Sequence, residues 1–446
     1  MLGRLVKAAT RPIDPASLVV HRFLLGSILS ISSVRFLANG WVERCYETPT
    51  FFFRYFGFEW VEVLPSPWMH VAYVVLAALA ALFALGVAPR ITAAAFFLLF
   101  TYVELIDVTN YLNHYYLVSI LMLLYAFLPV RRGAEAPAWA LHLLRAQVGI
   151  VYFYAAVAKM GSDWLLHGQP LGIWFASREE TPLIGPILVL PYVPLLASWA
   201  GFLNDLLAPF LLSFRRTRIF GFAMVVVFHS ITHLLFDIGI FPFLMISNAT
   251  LFFDPSWPRR IPGVRRLFEG ERGVPEFGRS VRAWAVALVA LHLSFQVLFP
   301  LRTFAYGGDV LWHEQGMRWS WRVMLRKKTG DVSFRVRARE LDREKVVPST
   351  RYLTLLQHME MVGQPDLILQ LAHHVAADLE RRGYHDVEVY ADAWVSVNGR
   401  PAARLIEPDV DLTKIRDSIW PARYITPAPE GDPLPSRGGP IAQLFR

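Results

Sequence analysis

A lysine that closes an apolar run is the residue of this chain most suited to chemistry. In YFYAAVAKMGSDW, Lys159 stands between apolar neighbours on both sides. Loss of solvent there disfavours the ammonium form and favours a free amine. Arginine stays charged in such a place, and arginine is this chain's default cation. Of 44 basic residues only six are lysines: Lys7, Lys159, Lys327, Lys328, Lys345 and Lys414. A free amine at the end of a membrane helix is what a general base requires. A lysine snorkelling to the interface is the structural alternative.

Other polar residues are expected at the same membrane level. Asn113 and His114 open one apolar run, His229 and His233 approach the end of another, and Phe241 and Met245 begin the run after it. His229 and His233 stand four apart on one helix face, a spacing that suits a metal. The other candidate histidines, His21, His114 and His142, are scattered without the clustered spacing of histidine-ligated oxygenases, so no metal is expected. Arg22, Arg145 and Asp205 fall inside apolar runs with Gln147, Gln296 and Asn204. Their expected role is a structural network, because buried charges persist only when paired.

These residues need a membrane to position them. The 446 residues are 54% hydrophobic and 18% charged, with mean hydropathy +0.37, too apolar for an ordinary soluble enzyme of this length. Apolar stretches recur at about 18–37, 68–87, 91–107, 113–130, 138–158, 187–212, 219–236, 238–253 and 283–300, giving an expectation of about nine transmembrane helices. The stretch with Arg22 and the short one with Pro242 are the least regular. No cleavable signal peptide is evident, because His21 and Arg22 interrupt the first apolar stretch and no small-residue cleavage site follows.

Loop charge orients the bundle. With the N-terminus cytoplasmic, the inner segments hold Arg4, Lys7, Arg11, Arg90, Arg131, Arg132, Arg215, Arg216, Arg218, Arg259, Arg260, Arg265, Arg266, Arg272, Arg279 and Arg282, whereas the outer loops hold only Arg44, Arg54, Lys159 and Arg178. That bias follows the positive-inside rule and sends everything after residue 300 to the periplasm or lumen. The net charge of +8 is thus spent on loops beside the bilayer, and nucleic acid is not an expected partner. With Cys45 the single cysteine, no internal disulfide is possible.

Beyond residue 300 the pattern changes. RVMLRKKTGDVSFRVRAR reads as two strands around Thr-Gly-Asp, and HDVEVYADAWVSVNGRPAARLI as two strands around Asn-Gly, a favoured hairpin signal. Residues 349–382 between them read as helical with a break near Gly363 and Pro365. The expected architecture is a mainly α polytopic membrane domain over 1–300, a small α+β extracytoplasmic domain with β-hairpins over 301–425, and a Pro/Gly-rich tail over 426–446.

Several of these segments together resemble the vitamin K-dependent gamma-glutamyl carboxylases. RPIDPASLVVHRFLLG resembles that family's N-terminal signature, NHYYL its Asn-His motif, and AQVGIVYFYAAVAKMGSDW the stretch with its catalytic lysine. FHSITHLLFDIGIFPFLM with PSWPRR, and SWRVM with DAWVSVNGRPAARLIEPDVDL, resemble later helices and the luminal domain, in the same order, from about residue 11 to 415.

The resemblance implies a carbon–carbon lyase that oxidises vitamin K hydroquinone (reduced phylloquinone or a menaquinone) with O2 to the 2,3-epoxide. The base so generated removes a γ-hydrogen from a Glu-containing protein or peptide substrate, and CO2 adds there. Lys159 would be the base, Asn113 and His114 would hold the hydroquinone and its developing charge, and Phe241, Met245 and Met324 would line the naphthoquinone pocket. Two positions depart from the animal pattern: Ala158 stands where a second lysine is found and Val323 where a second methionine is. The animal members also have a longer C-terminal region than follows the matched hairpin here. The alternatives are a quinol epoxidase without carboxylation and a membrane transporter or scaffold in which Lys159 is a gating or structural charge.

Overall fold

Each apolar stretch folds as a helix in the computed structural model, which describes residues 9–130, 135–266 and 283–433. The nine helices are α1 (Ala16–Ala38), α2 (Trp68–Leu85), α3 (Pro89–Glu104), α4 (Asn113–Phe127), α5 (Ala138–Ala158), α6 (Val193–Ser213), α7 (Arg218–Leu235), α8 (Phe241–Ala249) and α9 (Ala283–Leu298). Among the described residues six are long and apolar enough to cross a membrane: α1, α2, α5, α6, α7 and the segment Ala285–Ala305, which extends α9. The other three of the nine expected spans are shorter helices. The 15 residues of α4 rise only about 22 Å, short of a hydrocarbon core of about 30 Å. Similarly, α3 has 16 residues, and α8 has nine before it tightens into a 3-10 turn. Pro242 breaks nothing, because it lies in the first turn of α8, where no helical partner awaits its missing N–H.

Close approach of small residues sets the first pair. A Cβ on Gly26 of α1 would lie 2.7 Å from the Ala80 carbonyl oxygen and 2.8 Å from the Ala84 Cβ of α2, the kind of contact that brings membrane helices together where no hydrophobic drive exists between them. The helix ends sort into two groups. At one end, Pro12–Ile13 pairs with Ala136–Pro137, and Asp14 meets Arg259 at 2.6 Å. At the other end, the loops after α1 and α3 pack on the C-terminal domain. Phe53, Tyr55 and Val108 join its core, and Gln357 Nε2 donates to Phe51 O and Asp107 Oδ2, both at 2.8 Å.

The C-terminal domain is a four-stranded antiparallel sheet, in the order β2-β1-β3-β4, formed by β1 (Lys328–Arg337), β2 (Lys345–Pro348), β3 (Glu388–Val397) and β4 (Ala403–Arg404). Helices α10 (Leu355–Met361) and α11 (Pro365–Arg381) are separated by the break expected near Gly363 and Pro365. Alternate residues Val332, Phe334 and Val336 face Ala393, Ala391 and Val389 across the ladder. They bury against Leu367, Ile368, Leu371, Val375 and Leu379 of α11, as period 2 meets period 3.6.

One expectation fails here. Thr329-Gly330-Asp331 is not a turn but lies inside β1, paired with Ser396, Val395 and Trp394. A glycine at 330 is needed for backbone approach, since a Cβ there would sit 2.1 Å from the Trp394 oxygen. The tail also begins docked: Thr426 N–H donates to Leu405 O and Thr426 O accepts from Trp312 Nε1. Its residues 434–446 lie outside the described residues, as do Arg4, Lys7, Arg131, Arg132, Arg272, Arg279 and Arg282 of the charge count.

A buried lysine anchors this domain's base. Lys328 Nζ donates to Trp312 O and Gly363 O at 2.6 Å and meets the Glu314 carboxylate at 2.9 Å. Arg326 donates to the other Glu314 oxygen at 2.7 Å. Burial pushes the Lys328 ammonium down to about 8 against the opposing pull of Glu314. Because the folded-state value lies below the ordinary one of 10.5, the folded chain releases this proton first, so burial costs stability below pH 8. That cost, about 3 kcal/mol in full, disappears as pH rises from about 8 to 10.5. Thermal melts from pH 7.5 to 10.5 should show this gain in the parent protein and its loss in Lys328→Met.

Candidate active site

Lys159 caps the C-terminus of α5 and is 5% exposed. Its surroundings are not purely apolar, and this corrects the reading from its sequence neighbours. Its Nζ lies 2.8 Å from Asp205 Oδ2, and both side chains are buried. The second carboxylate oxygen, Oδ1, accepts from Asn204 Nδ2 at 3.1 Å. Nζ also stands 5.2 Å from the ring centre of Trp164, a favourable place for a cation. Asp205 is twelve residues into α6, roughly 18 Å along its axis. The pair thus joins the end of α5 to the interior of α6, with both side chains buried.

A row of aromatic and imidazole rings extends from this pair. Tyr152, two turns before Lys159 on α5, brings its hydroxyl 3.2 Å from His229 Nε2. The charges of Lys159 and Asp205 act on His229 and Tyr152 respectively, so the four groups share one electrostatic neighbourhood. The His229 ring meets Phe241 edge-on at 5.5 Å, and Phe241 lies 5.7 Å from His114. Phe241 thus meets two imidazoles, from α4 and α7. Among the described residues His229 Nδ1 is buried without a hydrogen-bond partner. A buried polar atom of that kind costs free energy unless a ligand or water answers it.

The remaining expected site residues separate. Met245 follows Phe241 by one turn on α8 and is 1% exposed. Met324 sits on an irregular segment where Trp319, Trp321 and Met324 all have positive φ. Its neighbour Leu325 packs with Ala156 and Trp164, which brings that segment against the Lys159 loop. Asn113 spends both side-chain atoms on structure: Nδ2 donates to Arg322 O at 3.0 Å, and Oδ1 accepts from the Tyr111 hydroxyl at 3.1 Å. These bonds tie it to the segment that leads to Met324. His233 lies exposed against Phe243 at 5.0 Å, away from the buried His229. Among the described residues no three His, Cys, Asp or Glu side chains converge to hold a metal.

The charges expected to form a network of their own are satisfied separately. Arg145 donates to Leu251 O and Phe253 O at 2.8 Å, where it caps the C-terminal turn that follows α8. Gln147 and Gln296 bond to each other at 3.2 Å, and to His292 and the Tyr116 hydroxyl at their far ends. The pairing of Asp205 with Lys159 was missed because 46 residues separate them. The usable signal was charge neutrality: a lone acid inside one span and a lone amine closing the neighbouring one.

Asp163 was missed as well. Four residues past Lys159, it accepts from Arg400 on both oxygens at 2.7 Å and from Asn398 Nδ2 at 2.8 Å. Burial would raise this carboxyl, but the donors outweigh burial and hold it below its ordinary value. A surface cleft of about 590 Å³ lies elsewhere, between Phe51, Arg54 and Phe56 and the His373–His374 face of α11.

Comparison with known families matches residues 10–257 to the HTTM domain, and residues 281–431 to the luminal domain of vitamin K-dependent gamma-carboxylase. The two matches divide the chain where the helical bundle gives way to its last helix and the sheet domain. No solved structure matches the chain.

Proposed function

The chain belongs to the vitamin K-dependent gamma-carboxylase family, and on that premise we propose that it converts glutamate side chains of a protein or peptide to gamma-carboxyglutamate at the Lys159 site. The observation that carries this reading is the arrangement itself: a buried amine paired with a carboxylate, together with an aromatic ring in contact with two imidazoles. A naphthohydroquinone fits such a place. Phe241 offers a stacking face, and the unpartnered His229 Nδ1 and the His114 ring, to which nothing bonds among the described residues, offer polar contacts to ring oxygens. When bound, vitamin K hydroquinone supplies, through its oxidation by O2 to the 2,3-epoxide, the strong base that a lysine amine is not.

The chain's own residues divide the rest. Lys159 Nζ donates to Asp205 Oδ2 at 2.8 Å, so the carboxylate fixes the direction of the side chain that carries the base. Nζ then takes a proton from a phenolic hydroxyl, the ordinary work of a general base. His114 and His229 orient the ring oxygens, and Phe241, Met245 and Met324 line the pocket. Trp164 and Tyr152 keep water from the pair, which strengthens every charge interaction inside.

The same proposal includes nine crossings, a cytoplasmic N-terminus and an extracytoplasmic C-terminal domain. The alternation of loop contacts between the two ends of the bundle supports it, as does the bias of basic residues. Incubation with reduced vitamin K, labelled bicarbonate and a Glu-containing peptide tests the activity. Label in the peptide with epoxide in solution is the expected result. Epoxide without label would reduce the reading to a quinol epoxidase, and neither product would overturn it.

A further inference from the structure

The turn after β3 reaches the active-site loop. Arg400 Nη1 and Nη2 grip the two oxygens of Asp163 as a fork, and both side chains are mostly buried, at 12% and 9% exposure. Asn398, fully buried with φ 51°, makes two connections at once. Its Nδ2 donates to Asp163 and to Leu325 O at 3.3 Å, while its Oδ1 accepts from the Lys327 N–H at 2.8 Å. One turn of the outer domain therefore holds the loop after Lys159 and the segment after Met324. Trp164, next to Asp163, carries the constraint inward. Its ring lies beside Nζ, and its Nε1 donates at 2.7 Å to Ser198 O on the helix of Asp205.

We infer that Asp163, Asn398 and Arg400 are positioning residues, a latch by which docking of the outer domain sets Lys159 against the Met324 side of the pocket. The inference rests on the reading of Lys159 as the proton acceptor. Arginine is required at 400, because a lysine offers one point charge where the planar fork engages two oxygens in fixed geometry. Asparagine suits 398, since its side chain tolerates the left-handed backbone and supplies both a donor and an acceptor.

Full-length Asp163→Asn, Arg400→Gln, Arg400→Lys and the double variant Asp163→Asn/Arg400→Gln test this, with kcat and KM for hydroquinone oxidation measured beside thermal melting. Each single variant should lose roughly 100-fold in kcat, the scale of a misplacement of about 1 Å, with KM for hydroquinone little changed. Arg400→Lys should not rescue the rate. The double variant leaves no unpaired charge and should melt like the parent, yet keep the low kcat, because two amides lack the fork. A double or single variant that turns over at the parent rate overturns the latch. Lys159→Ala in the same assay separates the two ideas. If it stays active while the latch variants slow, the base assignment falls, and the fork then positions the Met324 segment and not Lys159. If it is inactive while they run at the parent rate, the latch alone falls.

Discussion

Lys159→Ala should abolish epoxide formation, with a loss of about 10² to 10⁴-fold, the usual contribution of a positioned base. Removing one member of a buried pair also strands the other, so loss of activity by itself could report a damaged fold. The variant that isolates the chemistry is the double substitution Lys159→Met/Asp205→Asn. It keeps the volume of both side chains, bonded across 2.8 Å in the parent, and leaves neither charge uncompensated. It should melt within a few degrees of the parent in detergent and still make no epoxide. A transporter or scaffold that used Lys159 only as a structural charge would tolerate the neutral pair, so retained turnover in the double variant contradicts the base assignment.

Asp205→Asn alone should be the more damaging to the fold. It leaves an ammonium group inside the bundle, with the Ala155 carbonyl at 3.4 Å and the Trp164 ring at 5.2 Å as its remaining favourable contacts. Breaking a buried pair by removing one partner costs about 3 to 5 kcal/mol, a large share of the stability of most domains. The expected result is low yield, a strongly lowered melting temperature, and partial recovery of both when Lys159→Met is added. Parent-like melting and turnover in Asp205→Asn would show that the carboxylate neither stabilises nor serves the amine. Asp205→Glu keeps the charge but lengthens the arm, so the fold should return ahead of the rate.

Helices, strands and a short list of polar residues were legible in the sequence because each leaves a local trace. The nine apolar stretches, the Asn-Gly turn after β3 and the helical break near Pro365 are patterns within a few residues, and all reappear in the fold. What escaped depends on contacts between distant segments. Thr329-Gly330-Asp331 carries turn residues, yet tertiary pairing with β3 overrides them, and Gly330 serves the close approach of Trp394 instead. The loops after α1 and α3 carry Phe53, Tyr55 and Val108, which complete the core of the C-terminal domain.

The site divides in the same way. Lys159, His114 and Phe241 stood out by residue type, and the bundle places His114 and Phe241 in contact. Asn113 shares its motif with His114 but is turned to the Arg322 carbonyl, a distinction of side-chain direction that spacing does not encode. The partners Asp205, Asp163 and Arg400 lie 46, 4 and 241 positions from Lys159. Even the nearest of them, Asp163, reads as an ordinary helix-start acid until Arg400 is seen against it.

The most direct measurement is a structure of the full-length protein with reduced vitamin K bound in the absence of oxygen. A hydroquinone oxygen should lie within about 2.6 to 3.2 Å of Lys159 Nζ, its ring against Phe241 between His114 and His229, with Asp205 still on the far side of the amine. A hydroquinone bound elsewhere, with Nζ engaged by Asp205 and out of reach of any ring oxygen, would contradict the assignment of Lys159 as the group that starts the reaction.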